Sequence, residues 1–256
     1  MKIKHIRTIF ILSALSLPLL LKAGFALDNQ ETSAFNRANV YYEQAHYDEA
    51  IKQYNGILES GWESGNLYYN LGNCYFKKGE LGRAILYYEK ARRLIPLDKD
   101  LESNYEYALS LRKGGTGMPE GALPVRLWNS FFEKFTIDGL AVLLSVFFIG
   151  ILASVMISVF FKIAQKQALI FAIFLGLCFC AGFAGLIGKV SLLNKEAIVI
   201  AQQADATFEP LDSATTYFTL HEGMKVKVID YRDNWYKVKR PDNKNGWVKK
   251  GLLSIF

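Results

Sequence analysis

The stretch from Leu71 to Ile85, LGNCYFKKGELGRAI, decides how the first half of the chain folds. Its outline already occurs at residues 38–51, and equivalent positions lie 34 residues apart. The matching pairs are Ala38/Gly72, Tyr41/Tyr75, Ala50/Ala84, Tyr54/Tyr88 and Ile57/Ala91. In each copy small residues stand where two antiparallel helices must pack closely, with aromatic and aliphatic residues around them. A helical hairpin with this period predicts an α-helical solenoid, in which each repeat buries its apolar face on the next.

The second copy, residues 65–98, resembles a tetratricopeptide repeat. The signature positions are occupied by Tyr68, Leu71, Gly72, Tyr75, Ala84, Tyr88, Ala91 and Pro96. The first copy departs from the signature at Arg37 and Trp62, as expected of a terminal repeat, and residues 98–113 supply one further helix of the kind that closes such arrays. We therefore expect a tetratricopeptide-repeat domain over residues 27–113. Within it, Cys74 is predicted to be a small buried hydrophobic residue and not a nucleophile.

Asparagines recur in the same register and are the candidate partner-binding residues of this domain. They are Asn36, Asn70 and Asn104, with Asn39 and Asn73 three residues further along the same helix faces. In the family these positions line the concave groove, where amides hold a partner's backbone or carboxylate. The alternative is that these asparagines belong to the generic repeat and bind nothing. Family members that clamp a C-terminal carboxylate use basic residues at positions that here look like Phe35, Asp100 and Asn104, which disfavours such a clamp.

The charge of the chain is distributed as in an exported membrane protein. The net charge is +6, and the excess lies mainly in residues 1–26 and 162–167, so nucleic acid is a poor partner hypothesis. Residues 1–26 combine a basic start, an apolar run and small residues at Gly24 and Ala26, which predicts a secretory signal peptide. An uncleaved signal anchor is the alternative, because Lys22 lies in the expected cleavage region.

Two uncharged segments follow a linker and are predicted to cross a membrane. Residues 114–138 comprise a Gly/Pro-rich linker and an amphipathic interfacial segment. Residues 139–161 and 168–188 contain no charged side chain, and about 23 residues at 1.5 Å each span a hydrocarbon core of about 30 Å. The two lysines of the intervening loop, residues 162–167, favour the cytoplasm. This topology places both soluble domains in the periplasm, and the absence of ionisable residues from the spans argues against a transporter.

The C-terminal segment, residues 189–256, reads as a small all-β domain. Short runs of strand-forming residues occur at 197–201, 225–229, 235–239 and 246–249, separated by turn-rich sequence, which predicts a small barrel or sandwich. The segment TLHEGMKVKVID…WYKVKRPDNKNGWVKKGLL resembles a bacterial SH3 domain. Tyr217, Tyr231 and Trp235 are candidates for an aromatic face that binds a peptide or a cell-wall fragment. The alternative for Trp235 is a place in the core.

The predicted fold class is therefore mixed: a tetratricopeptide solenoid, a two-helix transmembrane hairpin and a small SH3-like barrel. This order of parts resembles the BatE-type proteins of bacterial aerotolerance operons. The resemblance implies a membrane-held periplasmic scaffold acting in aerotolerance or envelope stress, with von Willebrand-type membrane proteins and a MoxR-type ATPase system as partners. The alternative is a cell-wall-binding or stress-sensing module that contacts peptidoglycan through the SH3-like domain.

No sequence motif indicates catalysis. The chain lacks Gly-x-Ser-x-Gly, His-Glu-x-x-His and a phosphate-binding loop, and its cysteines and histidines do not have metal-ligand spacing. We therefore expect no enzyme activity, no cofactor and no bound metal.

Overall fold

A computed structural model describes residues 31–113, 122–193 and 195–256 of the chain. The predicted signal peptide, and residues 114–121 of the predicted linker, lie outside the described residues. The described chain consists of a helical repeat region, a pair of long apolar helices and an antiparallel sheet. The predicted fold class is confirmed.

Five helices build the repeat region over its described residues, 31–113. They are α1 over residues 31–43, α2 Tyr47–Glu59, α3 Gly65–Lys77, α4 Leu81–Leu94 and α5 Lys99–Ser110. Side-chain caps begin α3 and α5 at equivalent places, because Ser64 Oγ accepts a hydrogen bond from the Leu67 amide (3.1 Å) and Asp98 Oδ1 accepts one from the Leu101 amide (2.8 Å). Ser64 and Asp98 are 34 residues apart, so the helix start signal follows the repeat period.

Small residues let the repeat helices approach one another. A Cβ added at Gly72 would lie 2.5 Å from two ring carbons of Tyr88, so this glycine provides the space for the tyrosine. Ala38, Ala84 and Cys74 are fully buried in the same core. The signature residues of the opening stretch are therefore packing positions, and Cys74 is one of them, as predicted.

The turn after the first helix of each repeat requires a left-handed residue. Gly79 supplies it in the second repeat with φ +78°, at no steric cost. One period earlier the same place is held by Ala45 with φ +60°. An L-residue in this conformation costs roughly 1–2 kcal/mol, so the first repeat carries local strain that the second does not.

The middle of the chain forms three helices. They are α6 Leu123–Glu133, α7 Ile137–Phe160 and α8 Gln165–Leu192, with a 3₁₀ turn at Lys162–Ala164. Within the described residues, α7 and α8 are long and apolar enough to cross a membrane, and α8 extends beyond the predicted end of the second span at residue 188. Leu144 of α7 packs where Gly182 of α8 leaves room, and Leu175 packs against Gly150 in return. Nothing in the part of the chain that the structure describes covers their outward apolar side chains.

Within residues 195–256, seven strands form one antiparallel sheet in the order β3-β2-β6-β5-β4-β1-β7. They are β1 Glu196–Val199, β2 Gln203–Thr207, β3 Thr216–His221, β4 Lys225–Arg232, β5 Trp235–Lys239, β6 Asn245–Lys249 and β7 Leu253–Ile255. Every strand contributes to a single apolar core, so the sheet wraps around it as an SH3-like domain does. The sequence analysis located β1, β4, β5 and β6. It missed β2, whose buried residues are the small Ala204 and Ala206, as well as β3 and β7.

The sheet docks on the repeat region through one face of β1. Ala197 and Val199 belong to the core of the sheet, whereas Ile198 points the other way, into the core of the helical repeats. Gly82 in α4 makes this possible, because a Cβ there would lie 2.5 Å from the Val199 carbonyl oxygen. Phe256 joins Ile198 in the helical core. The sheet therefore contributes residues to the core of the repeats as well as to its own core.

Candidate partner-binding site

The predicted asparagines form a hydrogen-bonded ladder across the first helices of the repeats. In its first step, Asn39 Oδ1 on α1 accepts hydrogen bonds from the Tyr54 hydroxyl (2.5 Å) and from Asn70 Nδ2 on α3 (3.0 Å). One amide oxygen thus ties the helix pair of the first repeat to the start of the second.

The second step repeats the first with every residue 34 positions later. Asn73 Oδ1 accepts from the Tyr88 hydroxyl (2.8 Å) and from Asn104 Nδ2 (3.1 Å), and Asn104 Nδ2 also lies 2.8 Å from the Tyr69 hydroxyl oxygen. Burial raises the pKa of Tyr88, so its hydroxyl remains protonated and donates at neutral pH. The half-buried asparagines therefore hold adjacent repeats in register, whatever else they bind.

The two ends of the ladder are exposed. Asn36 has the register of Asn70 and Asn104 but lies exposed on α1. At the other end Tyr107 takes the position that Asn39 and Asn73 occupy in the earlier repeats, and its side chain is 59% exposed. The ring of Tyr107 contacts the ring of Phe76 on α3 (centroids 5.7 Å apart). The face is thus a strip of amides and aromatic rings, suited to an extended polypeptide with paired amide and apolar contacts.

The three aromatic residues predicted in the SH3-like domain are not gathered on one face. Trp235 pairs with Arg232 across β4 and β5, whereas Tyr231 pairs with Tyr236, so Tyr231 and Trp235 project from opposite faces of the sheet. Tyr217 lies on β3, separated from β5 by two strands. Tyr231 is the most exposed of the three and Trp235 is half-buried.

Cations accompany the aromatic rings on the outer face of the sheet. The Arg232 guanidinium lies 5.3 Å from the ring centroid of the buried Trp247, and Lys237 lies 5.7 Å from it. Lys249 lies 5.7 Å from the ring of Trp235. Trp235 is the accessible ring of this face, since Trp247 is buried and Lys249 is also paired with Asp212 (2.7 Å). Arg232 and Lys237 supply positive charge that suits a carboxylate-bearing ligand.

A second polar cluster joins the two domains at the side of α4. Its charges alternate, with Arg92 beside Glu89 (3.9 Å), Glu89 beside Lys225 (3.3 Å), Lys225 beside Glu196 (3.0 Å) and Glu196 beside Arg93 (2.9 Å). Glu89, Arg92 and Arg93 come from α4, and the other two come from the sheet. The ion pairs thus cross the boundary between the domains.

The electrostatics of the cluster favour its charged form. Burial by itself would raise the pKa of Glu89, but Lys225, Arg92 and a hydrogen bond from the Tyr105 hydroxyl (2.7 Å) outweigh it and lower that pKa. Burial likewise opposes the charge of Lys225, and Glu89 and Glu196 overcome it, so the pKa of Lys225 is raised. Both partners remain ionised at neutral pH.

The sheet also caps a helix of the repeat region. The residue before α4, Glu80, makes no side-chain cap, and Glu222 Oε1 instead accepts a hydrogen bond from the Gly82 amide (2.8 Å). A carboxylate at a helix N-terminus satisfies a free N–H and complements the helix dipole. At the next residue of the same turn, the Gly223 carbonyl accepts a hydrogen bond from Arg112 Nη1 (3.3 Å).

The sequence analysis missed this junction, although one signal for it was present. The run AIVIA at 197–201 is apolar without alternation, which indicates a strand buried on both faces. The partner charges, Glu89 and Lys225, lie 136 residues apart and carry no local pattern. In the part of the chain that the structure describes, no group of three or more metal-ligating side chains is present.

A helical-repeat surface docked on a small β domain defines a class of binding proteins built from domains that are typically non-catalytic. Residues 35–99 match the tetratricopeptide repeat family, and residues 209–254 match the bacterial SH3 domain family. Both domain resemblances predicted from the sequence are confirmed. A search of curated proteins finds no significant match.

Proposed function

We propose that the protein is a scaffold of the bacterial inner membrane that binds protein partners in the periplasm. In this proposal α7 and α8 cross the membrane as a hairpin, and both soluble domains face the periplasm. The partners belong to a BatE-type system, with von Willebrand-type membrane proteins and a MoxR-type ATPase system, and the role is in aerotolerance or envelope stress. The matched domain families support binding of protein partners and an envelope location.

The observation that carries the proposal is the open face of α1, α3 and α5. The sheet docks on α4 and near the end of α5, whereas the exposed ladder ends, Asn36 and Tyr107, lie on α1 and α5. Carboxylates lie close to the ladder hydroxyls, with Asp100 near Tyr69 and Glu43 near Tyr54. A peptide segment with free backbone groups therefore fits this face better than a C-terminal carboxylate does.

Cross-linking in membranes tests the groove. A photoreactive residue replaces Asn36 or Tyr107 in the full chain, and the matched control replaces Lys52, which is exposed on the second helix of the first repeat. We expect the same partner to be captured from both ladder ends and not from position 52. Equal capture from all three positions, or none from the ladder ends, would contradict the proposal.

The binding variants must spare the ladder itself. Asn36→Ala and Tyr107→Ala remove exposed side chains, and we expect them to weaken partner capture without lowering the melting temperature. Asn73→Ala would deprive Tyr88 and Asn104 of their shared acceptor, so it would change stability and binding together.

A second candidate function is binding of the cell wall, favoured by the aromatic and cationic outer face of the sheet. The test is sedimentation of the full chain in detergent with isolated peptidoglycan, because the separated sheet would expose Ile198 and Phe256. We expect Trp235→Ala to reduce sedimentation if this function holds, with Tyr231→Ala reporting on the opposite face. A full chain that does not sediment would remove the candidate.

The proposed topology is tested by thiol labelling in intact cells. A cysteine at Gln167 should resist a membrane-impermeant reagent, because the loop at 162–167 is assigned to the cytoplasm. A cysteine at Ser213, exposed in the SH3-like domain, should react. Labelling at Gln167 without labelling at Ser213 would reverse the orientation.

A further inference from the structure

A cavity of about 420 Å³ lies where the sheet meets the outer ends of the apolar helices. On one side α6 and α8 line it with apolar groups, including Trp128, Phe132 and the backbone at Gly188. Phe132 packs on α8 where Gly185 leaves room for its ring, so this wall is formed by packed elements. Trp128 is 43% exposed and lies beside Phe132 (centroids 4.7 Å apart), which suits a tryptophan at a membrane–water interface.

The opposite wall of the cavity is basic. It carries Lys225, Lys227 and Lys239 from the sheet, and Lys189 comes from the end of α8. The only acidic residues in the lining are Glu133 and Glu196 among the described residues. Glu196 is paired with Arg93 and Lys225, and Lys225 is also paired with Glu89. The positive charge that these ion pairs leave for a ligand is therefore that of Lys227 and Lys239.

Two of these lysines form an unfavourable pair. Lys227 on β4 and Lys239 on β5 stand directly opposite each other in the antiparallel register. Like charges at such positions destabilise a sheet. Across the ranges that the structure describes, no carboxylate lies within 4.0 Å of either ammonium group, although Glu196 is the neighbour of Lys227 on β1. An anion bound between the two ammonium groups would offset their electrostatic repulsion.

We propose that this cavity binds the phosphate headgroup of an anionic phospholipid, between Lys227 and Lys239, with the acyl chains along α8 beside Trp128. The cavity offers positive charge on the side of the soluble domain and apolar surface on the side of the spans, which is the amphipathic profile of a lipid. This inference rests on the proposed insertion of α7 and α8 into a membrane. Its consequence is that the docked domains are held at a fixed height and orientation over the bilayer.

Fluorescence quenching of the full chain in lipid nanodiscs tests the inference. Phosphatidylglycerol with brominated acyl chains, at a small fraction in phosphatidylcholine, is compared with brominated phosphatidylcholine at the same fraction. We expect stronger quenching of Trp128 by the anionic lipid, with a preference of about thirtyfold in relative binding constant from two lysines near the headgroup. The preference should weaken as salt is raised.

Variants locate the site. The double variant Lys227→Gln/Lys239→Gln should abolish the preference for the anionic lipid and leave quenching by phosphatidylcholine unchanged. The matched control, Lys237→Gln/Lys249→Gln, removes two lysines of the same sheet that do not line the cavity, and it should keep the preference. Melting temperatures of all variants verify the fold.

The outcomes separate this inference from the proposed function. If neither brominated lipid quenches, Trp128 lies away from the acyl chains and the lipid site is wrong. The insertion of α7 and α8, which contain no tryptophan, is decided separately by the thiol labelling at Gln167 and Ser213. If both lipids quench equally in the unmodified chain, or if Lys227→Gln/Lys239→Gln retains the preference, the headgroup site is wrong while the membrane-anchored scaffold stands.

Discussion

Substitution of Gly82 by alanine tests the docking of the two domains most directly. At a solvent-exposed helix position, replacing glycine by alanine would stabilise the helix by up to about 1 kcal/mol, because alanine has the higher helix propensity. In this protein a Cβ at position 82 would lie 2.5 Å from the Val199 carbonyl oxygen and 3.0 Å from the Ile200 Cα. These are backbone atoms, so β1 must move away as a whole. The docked structure therefore predicts an effect of the opposite sign.

The expected loss of docking free energy follows from the contacts that break when β1 moves away from α4. Ile198 is fully buried in the helical core, and burial of such a side chain contributes roughly 1.5–3 kcal/mol. The hydrogen bond from the Gly82 amide to Glu222 is a helix cap, and loss of a cap costs about 1 kcal/mol. After the propensity gain is subtracted, we expect Gly82→Ala to destabilise the docked state by about 2 kcal/mol.

Hydrogen exchange measures this effect in the full chain. An opening free energy lower by about 2 kcal/mol makes exchange about thirtyfold faster, and the increase should be confined to peptides that contain β1 and the start of α4. Gly56→Ala is the matched control, because Gly56 lies within α2 and a Cβ there meets nothing within 4 Å. The control should slow exchange in its own helix. If Gly82→Ala behaves like Gly56→Ala, the docking of β1 on α4 is refuted.

Three further substitutions or treatments have defined outcomes. Lys225→Met leaves the buried Glu89 without its nearest cation, and we expect a loss of about 2 kcal/mol in the free energy of unfolding, less than for a wholly buried pair because the Lys225 side chain is 38% exposed. Folding lowers the pKa of Glu89, so its carboxylate stabilises the folded protein above its unfolded pKa, and this stabilisation is lost as the pH falls through the folded pKa. Urea unfolding from neutral to acidic pH measures the loss. We expect the loss to occur at higher pH in Lys225→Met than in the unmodified chain. Ala45→Gly should raise the unfolding free energy by about 0.5–1 kcal/mol by relieving left-handed strain, and an unchanged or lower value would show that the strain is absent. Burial raises the pKa of Cys74 to about 12, so its thiol should resist maleimide at pH 8 until denaturant is added. Because Cys180 is exposed, labelling is located by peptide mass spectrometry, and rapid labelling at Cys74 in the native protein would contradict its burial.

The candidate site shows how far sequence reasoning reaches. The 34-residue register identified the asparagines and placed them on equivalent helix faces. It did not reveal that Asn39 and Asn73 share their oxygens with tyrosines of the second helices, because that contact depends on how two helices cross. The partner-binding role of all five asparagines stays a prediction, and the exposure of Asn36 makes it the best single position for testing that role.

The aromatic candidates of the SH3-like domain show a different limit. Successive residues of a strand project to opposite faces, and the two-residue turn Asp233-Asn234 sets Arg232 opposite Trp235 and Tyr231 opposite Tyr236. The sequence analysis recognised turn-rich sequence between the strands but did not use the length of this turn to derive the register. The structure places Tyr231 and Trp235 on opposite faces.

The sequence by itself determined the local and periodic features of this protein. Repeat period, helix caps, apolar span length and strand alternation are all properties of neighbouring residues, so the fold class follows from them. Only the tertiary structure decided that the repeats and the sheet form one docked unit. The residues that join the two domains lie more than a hundred positions apart in the sequence: Glu89 pairs with Lys225, Gly82 contacts Val199, and Ile198 is buried among the repeat helices. Burial and charge pairing depend on distance in space, so no local sequence pattern predicts these contacts.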